Sequence, residues 1–104
     1  MSNITIKAAL SGQAAIGSIV TIKGWIRTKR DSKAGISFLH VHDGSCFHPL
    51  QVVAPATLEN YESEVVRLTT GCSVICCGTL VESAGRGQSV EIQGSEVNVI
   101  GWVE

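Results

Sequence analysis

An all-β domain with a single internal helix is what this sequence predicts, and three observations carry the prediction. Five segments alternate apolar with polar residues and are rich in β-branched side chains, near residues 19–29, 36–43, 48–54, 72–81 and 89–101. Clusters of turn-forming residues divide them. Between the third and fourth segments the period changes to that of a helix, over residues 57–68. Three strands, one helix and two strands is the order of an OB-fold, a five-stranded Greek-key barrel whose outer face often binds oligonucleotides. An SH3-like barrel or a small sandwich usually lacks that helix.

Taken in order, the first segment has Val20, Ile22 and Ile26 as its apolar set. Asp31-Ser32-Lys33-Ala34-Gly35 then supplies a turn, and Ser37, Leu39 and Val41 form the inward set of the second segment. Asp43-Gly44-Ser45 breaks the chain before Leu50 and Val52 of the third. In the helix, Leu58, Tyr61, Val65 and Leu68 make one stripe, Glu59, Glu62 and Glu64 lie off it, and Gly71 is placed to end it. Ser83-Ala84-Gly85-Arg86-Gly87 separates the fourth segment from the fifth, where Val90 and Ile92 point inward. The first sixteen residues leave two readings open. Ile4, Ile6 and Ala8 alternate as in a strand, whereas Ala8 to Ala15 has the composition of a helical turn capping the barrel.

Length and composition fit one domain over residues 1–104, with residues 1–16 as an extension or cap. With 44% hydrophobic residues, 16% charged and 2 prolines, the chain can build a core, which argues against disorder and low complexity. Charge nearly cancels, 8 Lys plus Arg against 9 Asp plus Glu, so no global imbalance marks a nucleic-acid or membrane partner. The apolar start is interrupted by Ser11, Gly12, Gln13, Gly17 and Ser18, and neither a membrane span nor a secretory signal is evident. A cytoplasmic protein with no membrane partner is expected. Its cysteines, Cys46, Cys72, Cys76 and Cys77, are then buried thiols, with the neighbours Cys76 and Cys77 on opposite faces of a strand.

Strand parity assigns the outer surface, because a small barrel turns alternate residues inward. Lys23, Trp25, Arg27 and Lys29 go outward from the first segment, Phe38, His40 and His42 from the second, Gln51 from the third, and Glu91 and Gln93 from the fifth. Such a mixture suits single-stranded nucleic acid: aromatic rings stack bases, cations hold phosphates, and amides or carboxylates read base edges. Residues 23–33 concentrate Lys23, Arg27, Lys29, Arg30 and Lys33 against the single acid Asp31. A solvated strand, or a face covered by a neighbouring domain, is the alternative on these residues alone.

Other motifs carry less. His40 and His42 share a strand face, but no third ligand follows at a metal-binding spacing. Adjacent cysteines are not a Cys-x-x-Cys pair. Gly85-Arg86-Gly87-Gln88 lacks the Lys-Ser/Thr ending of a phosphate loop and leads into no helix, so a hairpin turn with an exposed Arg explains it better. No Gly-x-Ser-x-Gly elbow occurs. No catalytic residue, metal or cofactor is expected on this chain.

Several motifs together resemble a known family. Gly24-Trp25 with Arg27 and Arg30-Asp31 is similar to the opening of the N-terminal anticodon-binding OB domain of the class II aminoacyl-tRNA synthetases for Asp, Asn and Lys. Ser32 to Phe38, Asp43-Gly44-Ser45 followed by Leu50-Gln51-Val52, and Leu68 to Val74 are most like the bacterial asparaginyl branch, and the likeness runs from about Ile16 to Glu104.

That resemblance implies roles for single residues. Phe38 matches the aromatic residue on which the central anticodon uridine stacks, and Gln51 the glutamine that hydrogen-bonds its Watson–Crick edge. Arg30 matches a basic residue that contacts the anticodon, Arg27 is a neighbouring phosphate contact, and Lys29 joins them as a cation of the same strand. Glu91 matches an acidic residue involved in reading an anticodon base. Discrimination at the third anticodon base, where Asp and Asn differ, is expected from the loops around residues 31–35 and 82–88. The implied partner is the tRNA anticodon loop. The family places a catalytic domain after this one, which uses ATP and Mg²⁺ to charge tRNA with asparagine within a homodimer, and none of its motifs fits in these residues. A piece of such a synthetase is therefore expected. A free-standing OB module binding single-stranded nucleic acid or protein, and the equivalent domain of an aspartyl enzyme, are the alternatives.

Overall fold

The strand that organises the molecule is also its longest, 14 residues from Ile19 to Ser32, and that length lets it serve two neighbours. In the computed structural model, which describes residues 2–32, 35–83 and 90–103, the elements are β1 (Ser2–Asn3), α1 (Ile6–Leu10), β2 (Ile19–Ser32), β3 (Ile36–His42), β4 (Leu50–Pro55), a 3-10 turn (Val65–Arg67), β5 (Ser73–Glu82) and β6 (Val90–Gly101). The five expected segments are β2 to β6. The start of β2 pairs antiparallel with β5, from Ile19↔Thr79 to Trp25↔Ser73, and its end pairs with β3, from Trp25↔His42 to Ser32↔Ile36. With sheet order β1-β2-β3-β4-β6-β5 and the β2–β5 pairing, the sheet closes on itself. Closure leaves the barrel strands few open edges to pair with other chains.

Alternation fills the interior as expected. Val20, Ile22, Ile26, Leu39, Val41, Leu50, Val52, Leu80 and Ile92 form one buried cluster. Cys76 belongs to it while Cys77 does not, in keeping with opposite faces, and burial pushes the Cys76 thiol up to about 12. No disulfide joins the cysteines; Cys72, Cys76 and Cys77 are buried, whereas Cys46, expected to be buried, is only partly so.

One expectation is corrected and one open reading is resolved. Residues 57–68 do not form a continuous helix. The stripe does bury Tyr61, Val65 and Leu68, yet hydrogen bonds run with mixed spacing, Glu64 and Val65 both to the Asn60 carbonyl and Val66 to that of Tyr61. Regular 3-10 geometry is confined to Val65–Arg67. Short polar side chains compete with the helix ladder, and the Asn60 amide donates to the Val97 carbonyl at 2.7 Å, tying the segment to β6. At the N-terminus both readings are partly realised in other places: Ser2 and Asn3 pair parallel with Val20 and Thr21, and the helix begins at Ile6. Thr5 caps it by accepting from the Ala8 amide. The Gly85-Arg86-Gly87-Gln88 hairpin and Lys33 lie outside the described residues. Among the described residues no helix is long and apolar enough to cross a membrane.

Asp43 holds α1 onto the barrel. Its carboxylate accepts from the Ile6 amide at 2.9 Å and from both the amide and hydroxyl of Ser45, at 2.9 and 2.6 Å. Partial burial opposes its ionisation, but the Ser45 hydroxyl, the Ile6 and Ser45 amides and the charge of His42 outweigh that and hold the carboxyl below its ordinary value. A depressed folded pKa means stability that is present above the unfolded value of about 3.9 and is lost as pH falls through the folded one. Asp43→Asn should flatten the loss of stability below about pH 4, read as urea midpoints against pH. Gly78 makes a second test. It sits at a β5 register shift, where an added Cβ would press on the Gln93 carbonyl and come within 2.7 Å of the Ile92 side chain. Gly78→Ala should cost about 1–3 kcal/mol in urea unfolding.

Candidate nucleic-acid interface

Cross-strand register builds the outer face of β2, β3 and β4. Arg30 stands opposite Phe38, Thr28 opposite His40, and His40 opposite Gln51, while β6 brings Glu91 beside Gln51. A cavity of about 290 Å³ opens there, lined by Arg30, Phe38, His40 and Gln51, with Thr28 and Lys29 on its β2 side. The Arg30 guanidinium lies 4.8 Å from the centre of the Phe38 ring. Such a cation–π pair keeps the apolar face covered in the free domain. Arg30 is exposed and its side chain is long, so it can swing away and leave Phe38 as a shelf for a base.

A second set of contacts runs across the cavity floor. His40 Nε2 and Gln51 Oε1 are 3.0 Å apart, and Gln51 Nε2 donates to Glu91 Oε1 at 3.0 Å. Glu91 accepts two further bonds, from the Ser83 hydroxyl at 3.1 Å and from Gln93 Nε2 at 3.3 Å. An aromatic ring, an exposed cation and an amide bonded on both sides therefore meet in one small space.

Lys29 departs from the parity expectation. The β2–β3 register shifts between Ile26 and Thr28, and beyond that bulge the faces exchange. Lys29 consequently pairs with buried Leu39 instead of facing outward, and its side chain is 11% exposed. Its ammonium is held by Asp31 at 3.0 Å and by the Val66 carbonyl at 2.9 Å. The same exchange turns Arg30 out to Phe38. Asp31 anchors this corner from its other side. The Ser37 hydroxyl donates to Asp31 at 2.6 Å and lies 2.9 Å from the Tyr61 hydroxyl. A carboxylate only accepts, so Ser37 spends its proton on Asp31 and Tyr61 donates to Ser37. The Ser37 bond, helped by Lys29 against partial desolvation, holds the Asp31 carboxyl below its ordinary value.

Arg27, Phe38, Gln51 and Glu91 fall on the face where parity puts them, while Arg30 reaches it through the bulge. Arg27, at the bulge, is exposed and reaches the Phe47 carbonyl at 3.5 Å. Phe38, Gln51, Arg30 and Glu91 come together, with Arg27 on the same strand beyond them. His42 stacks at 59° on Trp25, the ring centres 5.4 Å apart. Among the described residues no three His, Cys, Asp or Glu side chains cluster to hold a metal. Sequence reasoning missed the bond of His40 to Gln51 and that of Ser83 to Glu91. Parity had placed His40 on the right face but named no partner, and Ser83 lies just past the end of β5, where parity gives no signal. Phe47, 86% exposed beside Arg27, was missed for the same reason.

Known proteins are similar to this chain in sequence and fold. The chain is 58% identical over its full 104 residues to the asparagine–tRNA ligase of Shewanella sp. (strain MR-7), and 60% identical to that of Yersinia pestis (strain Pestoides F). It spans 22% of the length of each of these relatives. Among solved structures, the asparaginyl-tRNA synthetase of Entamoeba histolytica superposes with a TM-score of 0.77 at 30% identity, over 98% of this chain and 24% of that one. The Pyrococcus horikoshii synthetase shares the fold, with a TM-score of 0.82 at 20% identity, over 96% of this chain and 23% of that one. The match to the family of OB-fold nucleic acid binding domains covers residues 20–100 and so spans the barrel from β2 to β6. The chain belongs to this tRNA anticodon-binding family.

Proposed function

We propose that the face around Phe38 binds the anticodon loop of tRNA(Asn), as the recognition domain of an asparagine–tRNA ligase. The observation that carries this reading is the convergence of Phe38, Arg30 and Gln51 on one cavity of about 290 Å³, with Glu91 bonded to Gln51 behind it. Phe38 stacks the central uridine once Arg30 has swung aside. Gln51 reads its Watson–Crick edge, and the freed Arg30 guanidinium and Arg27 meet phosphates. Lys29 contributes indirectly, because its charge is committed to Asp31 and to the turn at Val66. Names borne by the relatives favour asparagine over aspartate, and discrimination of the third anticodon base falls to the loops around residues 31–35 and 82–88. Asparagine activation with ATP and Mg²⁺ is work for a domain outside these 104 residues, and no step of it falls to the side chains described above.

Fluorescence anisotropy with a labelled anticodon stem-loop tests the proposal. Phe38→Ala should weaken binding by about 5- to 150-fold, the range that about 1–3 kcal/mol of base stacking represents. Affinity should fall with salt, and Arg27→Met should reduce the slope of log K against log salt by about one unit. Unchanged affinity in Phe38→Ala would remove the stacking site. Equal affinity for polypyrimidine DNA would instead indicate a single-strand binder without anticodon specificity.

A further inference from the structure

We infer that Glu91 is a positioning residue that locks the side-chain amide of Gln51 in one of its two flip states, with His40 as the second partner of that amide, and that this lock separates uridine from cytidine at the central anticodon position. The inference rests on the reading of Gln51 as the base-reading residue and goes beyond it. A glutamine amide presents an oxygen that accepts and a nitrogen that donates, and a half-turn about the last bond exchanges them. Left free, Gln51 could match either pyrimidine. Uracil offers an acceptor at O4 and a donor at N3, cytosine a donor at N4 and an acceptor at N3. For a base held in one pose on Phe38, the two edges demand opposite amide orientations.

The surroundings of Gln51 allow only one orientation. An ionised carboxylate accepts hydrogen bonds and donates none, so the Gln51 nitrogen must face Glu91, where it stands 3.0 Å away. The Gln51 oxygen then faces His40 Nε2 at 3.0 Å, and the ring carries its proton on Nε2 to make that bond. Flipping the amide would set its oxygen against the carboxylate, whereas His40 can answer either orientation by changing tautomer, so Glu91 decides the orientation and His40 follows it. Glu91 is itself held, because Ser83 and Gln93 donate to its two oxygens. Three of its roughly four acceptor sites are thus filled by the protein, which suits a fixed reference point better than a group reaching for a base. Gln51 keeps one N–H and one oxygen lone pair to offer, the donor and acceptor that uridine's O4 and N3–H require.

Glu91→Gln is the discriminating variant, since it preserves shape while giving Gln51 a neighbour that can donate or accept. Affinities for two stem-loops differing only in uridine or cytidine at the central position would be measured for both proteins, with urea unfolding to verify the fold. The wild-type domain should favour uridine, and Glu91→Gln should bring the two affinities within about threefold of each other, mostly through tighter binding of cytidine. His40→Phe, which leaves the carboxylate contact in place, should change the ratio less than Glu91→Gln does. Retention of the full uridine preference in folded Glu91→Gln overturns the lock. So does a selectivity change confined to a neighbouring anticodon base, which would mean that Glu91 reads that base directly. Absence of any uridine preference in the wild type would count against the anticodon assignment itself, a separate outcome from either.

Discussion

The register shift in β2 between Ile26 and Thr28 is the constraint on which the interface depends. One extra residue at Arg27 exchanges the two faces for the rest of the strand. Without it, Arg30 would turn inward, toward the side where Leu39 is buried, and Lys29 would face Phe38. With it, Arg30 covers the aromatic ring and Lys29 ties the strand to the turns that follow β4. The bulge also lies just beyond Trp25, where β2 leaves β5 for β3. A bend that closes the barrel and a change of face that arms its surface are thus made by the same few residues.

Two polar networks transmit that geometry. On the inner side, Tyr61 donates to Ser37, Ser37 to Asp31, and Lys29 closes the set on Asp31 and the Val66 carbonyl. Ser37 is the one buried polar residue among those described, and both of its neighbours satisfy it. On the outer side, His40, Gln51, Glu91, Ser83 and Gln93 form a chain across three strands and the residue that follows β5. Buried or half-buried polar groups are costly unless paired, so each network fixes its members in one arrangement. The first secures the strand that presents Arg30. The second sets the hydrogen-bonding pattern a base would meet.

Most of the barrel was legible in the sequence because a two-residue period is a strong signal where one face is buried. β3 shows this best: Ser37, Leu39 and Val41 are buried, while Phe38, His40 and His42 are partly exposed. The same logic failed at Lys29, since a bulge adds a residue without changing composition and no glycine or proline marks it. Residues 57–68 misled for a different reason. Their apolar stripe has helical spacing and does face the core, but Asn60 bonds outside the segment, and hydrogen bonding there follows no single period. Parity or family resemblance named Phe38, Gln51, Arg30 and Glu91, whereas the bonds among them were not legible. Hydrogen-bond partners on different strands depend on register and barrel closure, which no local pattern encodes.

The central claim is that this face recognises a uridine by a fixed pattern of donor and acceptor above an aromatic shelf. Its most direct test is the ratio of dissociation constants of the wild-type domain for two anticodon stem-loops, identical except for uridine or cytidine at the central position, at one salt concentration. Mispaired polar groups in a site shielded from water cost about 1–3 kcal/mol, so the uridine loop should bind roughly 5- to 150-fold more tightly. Equal dissociation constants would contradict the account.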